Sequence, residues 1–193
     1  MRSLTHRSVD EEAGLPPGSV NYYAPTRAKL LQLAFNSVAR DTMQYATNAF
    51  MPIIGKKPTP DEVLDCTVDF IFTAAEEGRG ITVARNVLNA EAQFDDDLLA
   101  MVLATRDAFV LFTDELIKSS EATLHERSAI LIVALVDGLI FQQAMMVRPP
   151  LSRQAIREAL ERSYGFYDED DEQVAAADTE TDSDNISPES ASA

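Results

Sequence analysis

The segment that most constrains this chain is its longest apolar stretch, Ala129 to Val147, in which only Asp137, Gln142 and Gln143 are polar. From Ala129 to Phe141 the apolar residues lie nearly all round a helical wheel, whereas a surface helix carries a single stripe. Such a segment has to be covered on two sides. A membrane could do so, but an acid at the centre of a spanning helix costs roughly 3 kcal/mol, so the stretch reads as a buried helix of a soluble protein. One side then meets the chain's own core. For the other side two coverings fit: a second copy of the chain, two-fold dimers being the commonest assemblies, or further helices of a monomer. The run Ile130-Leu131-Ile132-Val133 is the one strand candidate, and it belongs to an apolar stretch too long for a strand.

The rest of the chain punctuates itself with Gly and Pro. Gly14, Gly18, Gly55, Gly78, Gly80 and Gly165, with Pro16, Pro17, Pro25, Pro52, Pro58, Pro149 and Pro150, fall between segments of helical periodicity. A short helix is expected over Thr5–Ala13, capped by Thr5 and stopped by Gly14, and a second over about Pro17–Tyr23. Thr26 caps a long helix reaching about Phe50, with Leu30, Leu31, Ala34, Phe35 and Val38 turned inward. Thr59-Pro60-Asp61-Glu62 is a capping box with proline at the first helical position. Its helix buries Val63, Leu64, Val68, Ile71 and Ala75. Further helices follow over about Thr82–Ala92, from Asp95–Asp97 to about Ser119, over about Glu121–Met146, and from Ser152 to about Tyr164. The fold class is all-α.

The 193 residues hold 16 Lys and Arg against 32 Asp and Glu, a net charge of −16. Taken whole, that argues against a polyanion partner. Ten of the acids, however, lie between Asp168 and Glu189, where there is no cation, so residues 1–167 carry 16 cations against 22 acids, a net of −6. The Ser/Thr/Asp/Glu/Ala-rich stretch 166–193 cannot build a core and is expected to be a disordered acidic tail. It either repels DNA from the basic end of the chain or merely keeps the protein soluble. The single Cys66 forms no internal disulfide and reads as a small buried residue. His6 and His125 have no zinc-site spacing. The first residues lack the apolar core of a signal peptide, so the expected location is the cytoplasm.

The N-terminal end carries the most specific pattern. Two short helices joined by a tight glycine turn are the layout of a helix-turn-helix, whose second helix enters the major groove. Here that helix offers Pro17, Ser19, Asn21, Tyr22 and Tyr23, hydroxyls and an amide suited to bases and phosphates. Arg27 opens the next helix, where a guanidinium and free N–H groups can hold a phosphate. Residues 1–40 contain five cations against three acids, a mildly basic segment in an acidic chain. A proline-cornered helical hairpin without DNA affinity has the same spacing.

Residues 4–31, LTHRSVDEEAGLPPGSVNYYAPTRAKLL, resemble the DNA-binding signature of the TetR family of bacterial transcriptional regulators. The matching positions are Thr5, Val9, Ala13-Gly14-Leu15, Gly18-Ser19, Tyr23, Thr26-Arg27 and Leu30-Leu31. The later part resembles a TetR-type ligand-binding domain in TVARNVLNAEA at 82–92, VDGLIF at 136–141 and RPP at 148–150. The resemblance implies a helix-turn-helix domain over 1–45 and a helical ligand-binding and dimerisation domain over 46–165. It also implies a homodimer, formed here through helices at about 121–147 and 152–164. That dimer would bind a palindromic double-stranded operator and be switched by an unknown small-molecule effector, most simply as a repressor. Carried over by position, Thr5 and Arg27 contact phosphates, Arg7 reaches a base, Ser19 and Tyr22 face the groove and Tyr23 faces the backbone. Two positions depart from the pattern. Ala24 stands where an aromatic usually ends the recognition helix. The family's first helix would precede Thr5, and without it Val9, Ala13, Leu15 and Val20 lose a cover worth roughly 1.5–3 kcal/mol per larger aliphatic. A start upstream of Met1 is the expectation. The alternative, from another class, is a helical dimer that binds a small molecule or protein but not DNA.

A pocket among bundle helices should be mainly apolar with a few inward polar groups. The candidates are Phe70, Arg85, Asn89, Met101, Phe109, Asp137, Phe141 and Gln142. Asp137 needs a partner in its apolar helix; Arg85 can supply one, or the acid can sit at a dimer seam. No nucleophile–base pair, phosphate loop or metal cluster is legible, so no cofactor, metal or enzymatic activity is expected.

Overall fold

A computed structural model describes residues 4–120, 129–146 and 149–164. In these residues the chain forms α1 (His6–Glu12), α2 (Ser19–Tyr23), α3 (Arg27–Phe50), α4 (Pro60–Ala75), α5 (Arg79–Ala92), α6 (Asp96–Ser119), α7 (Ala129–Phe141), a π-helical turn (Gln142–Met146) and α8 (Arg153–Tyr164). Among the described residues there is no strand. The tail from 166, His125 and much of the helix expected from Glu121 lie outside them.

The starts of the helices are set by the residues that cap them. Thr5, Thr26, Thr59 and Asp95 each accept a hydrogen bond from a backbone N–H in the first turn of α1, α3, α4 and α6. At Thr59 the Glu62 side chain closes the reciprocal half of the box. Ser152 Oγ accepts from Ala155 N–H at the start of α8. Three boundaries differ from expectation: α2 starts at Ser19 rather than about Pro17, α7 gives way to a π-helical turn after Phe141, and α5 starts early. Helix α5 begins at Arg79, so Gly80 lies inside it, and Thr82 is buried with its hydroxyl donating to Ala74 O. Gly78 lets this start approach closely, since a Cβ there would sit 2.9 Å from the Tyr45 ring.

Three apolar clusters follow the length of α3. Val20, Ala24 and Leu30 form a small one at the N-terminal end. Leu31, Phe35, Val38, Leu88, Ala92 and Leu98 join α3, α5 and α6. The largest gathers the end of α3, α4, α6, α7 and α8, with Leu64, Ile71, Ile140, Ile156 and Leu160 at 0–1% exposure. Helix α4 is the central one, packing against α3, α5, α7 and α8. Its buried residues include all five expected from the sequence, together with Cys66, Thr67, Phe70 and Ala74.

Helix α7, the most apolar in sequence, is covered on one side only among the described residues. Ala129, Ile132 and Ile140 are buried, while Ile130 and Leu131 are 52% and 65% exposed. The stretch Ala129–Met146 is long and apolar enough to cross a membrane by length and composition. Among the described residues it packs against α4, α6 and α8 and carries a paired acid, Asp137. Gln143 pins the following turn by donating to Leu151 O and accepting from Leu151 N–H. Helix α8 docks on α4 through apolar Ile156, Leu160 and Tyr164 and through a ladder of charges. Asp61, Asp65 and Asp69 stand four residues apart on α4, and Arg153 pairs with Asp69 while Arg157 spans Asp61 and Asp65.

Candidate functional site

At the N-terminal end, α1 and α2 are fixed at their corner by an acid. Asp10 is 3% exposed, and its carboxylate accepts from Gly18 N–H at 2.7 Å and Val20 N–H at 2.9 Å. Prolines 16 and 17 have no N–H to offer, so these are among the first backbone donors of the turn, and an acid at a helix N-terminus is favoured by the dipole as well. Gly18 takes φ +90°, the left-handed conformation in which glycine is tolerated without strain. His6 Nε2–H donates to Ala24 O, tying α1 to the residue after α2. The sequence reading missed Asp10. The available signal was an acid placed before a Pro-Pro-Gly corner that leaves orphan N–H groups.

The clamp turns one face of α2 to solvent. Tyr22 and Tyr23 are 84% and 70% exposed and stack edge-to-face at 5.1 Å. Pro17 and Asn21 are exposed beside them, while Ser19 is half-buried and donates to Pro16 O. Thr5 is occupied as the cap of α1. Arg7 pairs with Glu11 at 2.7 Å. Arg27 donates to Leu4 O and pairs with Glu91 at the end of α5 at 2.8 Å. Val20 and Ala24 are buried, Val9 is partly covered, and Ala13 and Leu15 are exposed. The expected loss of cover therefore does not reach Val20, which packs with Ala24 and Leu30 and has Leu4 and Val9 against it.

The second feature is a cavity of ≈ 130 Å³ enclosed by α3, α4, α5, α6, α7 and α8. Five of the eight pocket candidates line it: Phe70, Arg85, Asn89, Phe109 and Asp137. Three do not. Met101, like Val102 beside it, packs on the Leu31–Leu88 cluster, but only Val102 also reaches the cavity wall. Phe141 and Gln142 lie a turn beyond Asp137, past the charged end of the cavity where α7 gives way to the π-helical turn, and Gln142 is exposed. Most lining residues that sequence reasoning missed come from α3 (Phe35, Thr42, Phe50) and α6 (Thr105, Arg106, Phe112). Their periodicity marks them as inward-facing without distinguishing a cavity wall from packed core.

The cavity is polar at one end and aromatic at the other. Arg85 pairs with Asp137 at 2.9 Å, and Arg106 approaches the same carboxylate at 3.9 Å. Phe50 packs on Phe70 and Phe112 with ring centroids 6.1 and 5.5 Å apart. Tyr164 closes the aromatic end, sharing a 3.3 Å hydrogen bond with Thr67. Burial pushes its phenol up to about 12. Burial, with Asp69, Asp65 and Glu62 nearby, likewise pushes the Cys66 thiol up, which disfavours the reactive thiolate. Among the described residues no group of three or more His, Cys, Asp or Glu is arranged to hold a metal ion.

Comparison with protein families matches residues 58–165 to the Tetracyclin repressor-like, C-terminal domain. The chain belongs to the TetR family. The matched span begins just before α4 and ends just past α8, so it covers every helix from the central one onward. No curated protein and no solved structure matches the chain. Membership makes the chain a TetR-type regulator with a ligand-binding domain, and TetR-type regulators are generally not enzymes.

Proposed function

We propose that this TetR-family chain is a cytoplasmic, homodimeric repressor that binds a palindromic operator and is released from it by a small molecule. The observation that carries the reading is the Asp10 clamp, which holds α2 with Tyr22, Tyr23 and Asn21 facing solvent at the end of the molecule opposite the matched domain's core. In this reading Arg7, Ser19, Asn21 and Tyr22 meet base edges, and Thr5, Pro17, Tyr23 and Arg27 lie along the phosphates. The head is taken as residues 1–45 and the body as 46–165, with α3 running unbroken across the junction. Dimerisation uses the outer face of α7, where Ile130, Leu131, Ala134 and Gly138 are exposed, with α8 beside it.

Helix α5 supplies the link between the sites. Arg85 and Asn89 face the cavity, and Glu91, half a turn further on, holds Arg27. A ligand that shifts α5 alters the hold on a residue assigned to phosphate contact.

A gel shift with DNA flanking the protein's own gene, at low salt, tests the proposal. A sequence-specific shift by a dimer is expected. A well-folded dimer giving no specific shift would support the alternative of a helical ligand-binding module that leaves DNA alone.

A further inference from the structure

The cavity's polar end is charged in a way its apolar end is not, and the imbalance names a ligand. Two guanidiniums, Arg85 and Arg106, face one carboxylate, Asp137, so the cluster carries a net positive charge. Only the Arg85 contact is a close one; at 3.9 Å Arg106 is outside hydrogen-bond distance. The Nε–H of Arg85 is enclosed, and no acceptor reaches it among the described residues. A buried donor on a cation without an acceptor is costly, and an anionic oxygen is the acceptor that best relieves it. The other polar residues lining the cavity, among them Asn89 and Thr105, carry no charge.

We infer that the cavity takes a small organic monocarboxylate with an apolar body. Its carboxylate is held by Arg85 Nε–H and the Arg106 guanidinium, and its body lies against Phe109 and the Phe50–Phe70–Phe112 group. The volume of ≈ 130 Å³ suits one aromatic ring or a short alkyl chain, since an apolar cavity of about 150 Å³ accepts benzene. The charged end is the more open one, with Arg106 and Asp137 side chains 41% and 39% exposed, so the ligand enters with its body first. This inference rests on the reading of the body as an effector domain and specifies the effector's class.

Calorimetry on the full chain without DNA tests it, using benzoate, 3-phenylpropanoate and octanoate beside the matching neutral alcohols and primary amines. The carboxylates are expected to bind at least about tenfold more tightly than either set. Arg106→Gln, at a half-exposed position, should lower carboxylate affinity about tenfold and leave the alcohols unchanged. Asp137→Asn removes the internal competitor and should raise carboxylate affinity, whereas a merely structural role would lower binding of every probe. Equal or tighter binding of alcohols or amines overturns the inference, as does the absence of carboxylate binding at low millimolar concentration. Carboxylate binding that leaves the DNA complex intact sustains this inference and defeats the proposed release mechanism instead.

Discussion

In the head, the apolar cover amounts to Val20, Ala24 and Leu30 with Leu4 and Val9 at their edges, and α2 owes its position to Asp10, Gly18 and His6. In the body, α4 is buried along most of its length against four other helices, and polar contacts such as the exposed ladder between α4 and α8 are added around that core. A few directional hydrogen bonds hold the first region, and hydrophobic burial holds the second. The difference suits the roles proposed for them. A reading head needs one face presented at a set angle, which directional bonds supply with little mass. A body that responds to a ligand needs enough burial to remain folded around a cavity.

The largest effect that would break this contrast lies in the body. Ile71→Ala, at a position with no exposure, should cost about 2–5 kcal/mol of global stability, read as a lowered urea midpoint. A loss confined to the head would contradict the division. Tyr164 sharpens it by titration. Its folded pKa is raised from 10.0 to about 12, so the neutral phenol's contribution is complete below pH ~10 and is lost as pH rises toward ~12. About 2–3 kcal/mol should disappear across that window, and Tyr164→Phe should flatten the profile measured by denaturant unfolding.

Asp10→Ala probes the other side of the comparison. It leaves two backbone donors unmet, a local cost of about 1–3 kcal/mol. Hydrogen exchange should accelerate in residues 6–24 while α4 remains protected; an equal change in α4 would mean the two regions fold as one. The smallest effect is expected from Glu91→Gln. The pair with Arg27 is partly exposed and worth under about 1 kcal/mol, so stability should hardly move. With the charge of Glu91 removed, Arg27 should tighten operator binding a few-fold at low salt.

How much of this was legible in the sequence follows from where each determinant's partner lies. Caps act within three residues, so Thr5, Thr26, Thr59, Asp95 and Ser152 announced their helices. The inward stripe of α4 was equally plain. Determinants on two elements were hidden: the reach of Asp10 to Gly18, the α4–α8 charge ladder, and Arg27 held by Glu91. Arg85–Asp137 was anticipated because an acid in an apolar helix demands a cation. Met101, Phe141 and Gln142 were misplaced because periodicity gives a residue's face but not the height at which a cavity begins and ends. Apolar content alone does not pick out the central helix: α7 is the more apolar, yet α4 is the one the chain surrounds.

The most direct test of the account is a hydroxyl-radical footprint of the protein on DNA flanking its own gene, with and without a carboxylate that binds the cavity. The account predicts protection of two symmetric half-sites whose centres are about one helical turn, or a multiple of it, apart, lost when the carboxylate is added. Uniform protection or none, from a folded dimer with its cavity occupied, would contradict it.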